Sequence, residues 1–131
     1  MIDLKSKTIL VLDDDPTLRT VMSQHLQLCG AAVLQESDGT RGFAILPSAP
    51  IDLVISDIRM PGMGADGITF LKRVQSELSS PPPIILVSGF SDIEGVEAIK
   101  LGARAFIAKP YSMKLLDAAI LEALSNGPKQ A

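Results

Sequence analysis

Residues 9–16 read ILVLDDDP: four consecutive branched apolar side chains, three aspartates and a proline. An apolar run of this length without alternation suits a strand buried on both faces of a parallel sheet, and the acidic triplet marks where that strand leaves the core. Asp15 followed by Pro16 is a helix start, an N-cap carboxylate ahead of a proline at the first helical position, where no amide is needed. Leu18, Val21, Met22 and Leu26 then recur at helical spacing and predict one amphipathic helix of about three turns. Gly30 supplies its stop.

The same alternation continues outward. Leu53 to Ile55, Ile84 to Val87 and Ala105 to Ala108 are further apolar runs read as strands buried on both faces, and Ala32 to Gln35 is a weaker fifth. Helical patterns lie between them: Thr40 to Leu46, ended by Pro47; Ile68 to Leu78, with Ile68, Leu71, Val74 and Leu78 on one face; Ile93 to Leu101; and Met113 to Leu124. The stretch SELSSPPP before the fourth strand reads as a stiff extended connection. Strand and helix thus alternate five times, which argues for an α/β fold with a parallel sheet and helices on both faces. A TIM barrel needs roughly 250 residues, so the expected architecture is an open doubly wound five-stranded sheet. Ligands of such sheets sit at the carboxyl ends of the strands, beside the switch in strand order.

The 131 residues suit a single domain, 1–131, with a core from about 8 to 124 and a short polar tail over 125–131. At 47% hydrophobic and 21% charged, the chain has a core's composition and not a disordered segment's. Twelve basic against fifteen acidic side chains leave a charge of −3, and the basic residues form no cluster, so direct nucleic-acid binding is not expected. No apolar run approaches a signal-peptide core or a membrane span, which reads as a cytoplasmic protein without a membrane partner. Cys29 is the only cysteine and His25 the only histidine. An internal disulfide and a metal site built on several His or Cys residues are therefore excluded, and Cys29 is read as a buried, inert thiol.

The strand ends carry the chemistry. The first ends in Asp13, Asp14 and Asp15, the third in Asp57, the fourth in Ser88 and the fifth in Lys109. If these ends share one rim, the site holds several carboxylates, a hydroxyl and an ammonium. Clustered carboxylates raise one another's pKa unless a cation sits among them, so a hard divalent ion, Mg²⁺ first, is the natural cofactor. An aspartate beside Mg²⁺ and an ammonium is equipped to attack phosphorus while the cations neutralise the transferring group.

The stretches ILVLDDDP, LVISDIRMPGMGADG, IILVSG and AFIAKPY, in this order, resemble the receiver domain of two-component response regulators over essentially the whole chain from Thr8 to about Leu124. The resemblance implies the flavodoxin-like strand order 2-1-3-4-5 and a phosphorelay function. Asp57 would accept a phosphoryl group from a histidine kinase or a histidine phosphotransfer protein. Asp13 and Asp14 would position Mg²⁺, Asp14 directly and Asp13 partly through water, and Asp57 and the main-chain carbonyl of Arg59 would complete the protein ligands. Lys109 would pair with Asp57 and then with the phosphoryl group, ahead of a cis Pro110. Ser88 and Phe106 would form a conformational switch, and Arg59 and Phe90 would flank the phosphoryl group and tune its hydrolysis.

Such a domain catalyses its own phosphorylation and dephosphorylation but is not an enzyme with a separate turnover substrate. Its output would pass to a downstream effector protein or domain, since the polar tail carries none. Self-association would be absent or weak, through the face formed by the fourth helix, fifth strand and fifth helix. The loop MPGMGADG is about two residues longer than the family's pattern, which leaves the entry into the third helix open.

Two alternatives remain at the level of sequence. Asp13-x-Asp15-x-Thr17 after an apolar strand also resembles the nucleophile motif of haloacid-dehalogenase-type phosphatases, with Asp13 attacking. That family needs a further acidic pair after the lysine, and here only Asp117 and Glu122 follow. A receiver-like binding module that signals without phosphorylation is the other, although such modules typically lose one of the residues retained here.

Overall fold

A computed structural model, describing residues 2–64, 66–89 and 92–125 apart from the side chains of 92–94, turns the apolar runs into one parallel sheet. Its strands are β1 (Thr8–Leu12), β2 (Ala32–Glu36), β3 (Leu53–Asp57), β4 (Ile84–Ser88) and β5 (Ala105–Ala108). They alternate with the helices α1 (Pro16–Leu28), α2 (Gly39–Ile45), α3 (Gly67–Glu77), α4 (Asp92–Lys100) and α5 (Met113–Ser125). The strand order is β2-β1-β3-β4-β5, with every pair parallel. The expected doubly wound sheet is therefore present, and its order reverses between β1 and β3.

Strand alternation divides the core into two layers. Ile9 and Val11 of β1 join Leu26 of α1 and Leu116 and Ile120 of α5 on one face of the sheet. Leu10 and Leu12 join Phe70, Leu71 and Val74 of α3 and Ala98 of α4 on the other. β1, β3 and β4 are buried on both faces, as their unbroken apolar runs require. β5 differs from expectation: only Ile107 is buried, Ala105 and Phe106 are half-buried and Ala108 is exposed. The reason is its place at the sheet's edge, which β2 shares at the opposite side with no buried residue.

Carboxylates start α1, α2 and α3. Asp15 accepts from the amides of Thr17 and Leu18 at 2.9 and 3.3 Å, and Asp66 accepts from the Thr69 amide and hydroxyl, each at 2.9 Å. Asp66 thus opens α3 despite the long loop before it. α1 ends where the Ala31 amide bonds the Leu26 carbonyl at 3.1 Å, directly after Gly30.

The inward stripe of α1 is not the predicted one. Met22, Ser23 and Leu26 are buried, whereas Leu18 and Val21 are 46% and 48% exposed. These two lean over a cleft between α1 and the start of α5 instead of entering the core. The buried Ser23 hydroxyl has no hydrogen-bond partner among the described residues. On α3 the inner face gains Phe70, while Ile68 and Leu78 are only half-covered.

Candidate functional site

Because β1, β3, β4 and β5 are neighbours and parallel, their carboxyl ends deliver Asp13, Asp57, Ser88 and Lys109 to one rim. Carboxylate oxygens of Asp13, Asp14 and Asp57 all lie within 4.8 Å of one another. Lys109 donates from Nζ to Oδ2 of Asp57 at 2.9 Å, and the Arg59 amide donates to Oδ1 at 3.2 Å. The Lys109–Pro110 peptide is cis, as the resemblance implies. Lys109 is further tied to β4 by its amide, which donates to the Ser88 carbonyl at 2.8 Å.

The electrostatics follow from that crowding. Burial raises the pKa of Asp13; a hydrogen bond from the Asp15 amide opposes it, and the charges of Asp57 and Asp14 reinforce it against the pull of Lys109. For Lys109, burial acts downward, but the hydrogen bond to Asp57 and the charges of Asp57 and Asp13 outweigh it, so the ammonium is held above its usual range. A half-buried carboxyl group next to two others, opposed by one ammonium, suits a cation. The donor set is all oxygen, as a hard divalent ion prefers. The residues present therefore fit a metal ion of that class.

Two supports of this rim were not legible as such. Arg19, on α1, donates from Nη1 to the Asp13 carbonyl at 2.7 Å, fixing the chain as it leaves β1. Gly67 packs the start of α3 onto Asp57: a Cβ there would lie 2.4 Å from the Asp57 carbonyl oxygen. The glycine was visible in the sequence; its contact distance was not.

Ser88 is fully buried at the end of β4. Phe106 sits opposite Leu86 in the β4–β5 register, and both pack into the core layer of α2, α3 and α4. By alternation Ser88, two residues beyond Leu86, belongs to that same face. Arg59 is exposed beside Asp14 and Ile58. Phe90 lies outside the described residues. Asp15 is an exposed helix cap, which leaves the phosphatase-type motif without its second carboxylate in the site. On the α1–α5 side, a cleft of about 500 Å³ opens next to Asp57 and Lys109, walled by Leu18, Val21, Tyr111 and Met113. No described helix is long and apolar enough to cross a membrane.

The family model of the response regulator receiver domain matches residues 9–121. The transcriptional regulatory protein FixJ of Bradyrhizobium diazoefficiens is 38% identical over 124 residues, 94% of this chain and 59% of that protein. The C4-dicarboxylate transport transcriptional regulatory protein DctD of Rhizobium meliloti is 42% identical over 106 residues, 80% of this chain and 22% of that protein. The chain thus spans less than two thirds of either relative. A response regulator receiver domain protein from Clostridium thermocellum superposes with a TM-score of 0.82 at 29% identity, covering 92% of this chain and 95% of that one. With the strand order, the acidic cluster and the Asp57–Lys109 pair all in agreement, the chain belongs to the response regulator receiver domain family, the phosphorylation-dependent signal receivers of two-component systems.

Proposed function

We propose that Asp57 is the phosphoacceptor, and that the chain takes its phosphoryl group from a histidine of a kinase or phosphotransfer protein. The observation that carries this reading is the Lys109–Asp57 contact of 2.9 Å within the three-carboxylate cluster, an arrangement with little purpose in a purely structural ion pair. A carboxylate oxygen of Asp57 attacks phosphorus in line with the scissile P–N bond. The new O–P bond forms as the N–P bond breaks, and its electron pair stays on the imidazole nitrogen. The Lys109 ammonium follows the charge from Asp57 to the transferring oxygens. Asp13, Asp14, Asp57 and the Arg59 carbonyl would hold Mg²⁺, which when bound neutralises further charge on those oxygens. Transfer to water later returns the free carboxylate, so the chain has no separate turnover substrate.

The donor protein has to bring its histidine to this rim. The cleft beside Asp57, with Leu18, Val21 and Met113 each more than a third exposed, supports docking of an apolar face there. On the opposite layer Ser88 and Phe106 act as the switch: a hydrogen bond from Ser88 to the phosphoryl group, formed only after transfer, draws the ring with it and remodels the face of α4, β5 and α5. That face, which exposes Val96 and Ile99, would pass the signal to an effector protein or domain, or to a second copy in a weak dimer. Arg59 and Phe90 are assigned to tuning hydrolysis, and the setting is cytoplasmic.

Intact-mass analysis after incubation with a small phosphodonor tests the proposal. One phosphoryl group per chain is expected with Mg²⁺, and none in Asp57→Ala or Asp14→Ala. Undiminished labelling in excess chelator overturns the metal requirement, and full labelling of Asp57→Ala overturns the acceptor.

A further inference from the structure

Gly95 is buried in the middle of α4, against β5. A Cβ at this position would lie 2.7 Å from Cδ2, 3.0 Å from Cε2 and 3.1 Å from Cγ of Phe106. Carbon atoms in contact prefer about 3.5–4.0 Å, so the Phe106 ring occupies a seat that only a residue without a side chain leaves open. Glycine is also among the poorest residues for a helix interior, and the local sequence therefore works against the helix for the sake of that seat. Val96 and Ile99 wall the same hollow, and the ring is only half-buried in it. Ser88 stands on the same sheet face, two residues along the neighbouring strand from Leu86, the cross-strand partner of Phe106.

We infer that Gly95 is a positioning residue for the switch: its missing Cβ admits the Phe106 ring onto α4 in the unphosphorylated protein and so sets how strongly the ring resists moving towards Ser88. The inference rests on the proposed role of Phe106. The ring has two seats, and the populations of the two states follow the difference in their free energies. Filling the first seat with a methyl group shifts the ring to the second without any phosphoryl group. By linkage, whatever then binds the shifted state binds more tightly by the same factor.

The test uses the full chain with ring-labelled phenylalanine, Mg²⁺ and beryllofluoride as the phosphoryl mimic. The four phenylalanines are distinguished by assigning Phe106 from a Phe106→Leu spectrum. In metal-free Gly95→Ala, the Phe106 ring signals should move towards the positions they take in wild type with beryllofluoride, and beryllofluoride affinity should rise by roughly 5-fold or more. In a Phe106→Ala background the same substitution should leave that affinity unchanged. Unaltered ring signals and affinity in Gly95→Ala overturn the inference, as does an equal gain in affinity without the ring. If wild-type Phe106 does not respond to beryllofluoride, the switch reading itself fails and takes the inference with it; a responsive wild type beside an unaltered mutant removes the inference alone.

Discussion

At the scale of single residues, the site is a balance of three carboxylates against one ammonium. Removing Lys109 should therefore separate two functions that share the rim. Lys109→Met should slow phosphorylation of Asp57 by about 100-fold, the usual loss when one preorganised partner of developing charge is deleted. Mg²⁺ affinity should hold or rise, because a positive neighbour has gone; stopped-flow phosphorylation and a metal titration read the two separately, and a parallel fall in both would contradict the assignment.

Asp13 supplies a pH prediction. Its raised pKa means that the metal-free fold favours the neutral carboxyl group. That stability is fully present below the unfolded value of about 3.8 and is lost as pH rises through the folded value. Asp13→Asn should accordingly melt higher than wild type at pH 7 in chelator, converge with it in acid, and gain less from added Mg²⁺. A mutant that melts lower at pH 7 in chelator would oppose this.

Asp57, Lys109 and the acidic pair were legible in the sequence because each closes an apolar run, and strand ends meet at one rim. The Arg19 contact to the Asp13 carbonyl was not, since a side chain six residues along reaches it only once α1 is placed.

Among the elements, the sharpest lesson comes from α1. Its apolar spacing correctly announced a helix, yet periodicity cannot say which part of a broad apolar arc meets the sheet. Leu18 and Val21 satisfy the same pattern as Met22 and Leu26 and stay half exposed over the cleft. Ser23 took a place on the inner face, and its hydroxyl is buried without a partner among the described residues. Ser23→Ala should raise stability by about 1 kcal/mol, because an unmet polar group is removed and a better helix former added. Chemical denaturation measures it, and a loss of stability would show that the hydroxyl is satisfied in solution. Gly67→Ala should act in the opposite direction. With the Asp57 carbonyl 2.4 Å from the new methyl group, α3 or β3 must shift. The expected cost is about 1–3 kcal/mol, with slower phosphorylation as the backbone of Asp57, the proposed acceptor, moves. Unchanged stability and rate would contradict a tight junction between α3 and Asp57. β5 shows the limit of composition alone: its run is apolar enough for a central strand, and only strand order reveals an edge.

For the whole molecule, the sheet separates two layers. One, with α1 and α5, borders the cleft beside Asp57 that is proposed for docking of a donor protein; the other, with α3 and α4, holds Phe106, the proposed link to the face of α4, β5 and α5. Strand order was legible because right-handed crossovers leave few topologies, and the resemblance selected one of them. The central claim is that phosphoryl transfer across this rim ends on Asp57. It is tested most directly by phosphorylating the wild-type chain with Mg²⁺ and a small donor, trapping the acyl phosphate by borohydride reduction, and locating the reduced residue by peptide mass spectrometry. The account predicts that the reduced side chain is at position 57 and nowhere else; reduction at Asp13 instead, or at no aspartate despite a phosphorylated chain, would contradict it.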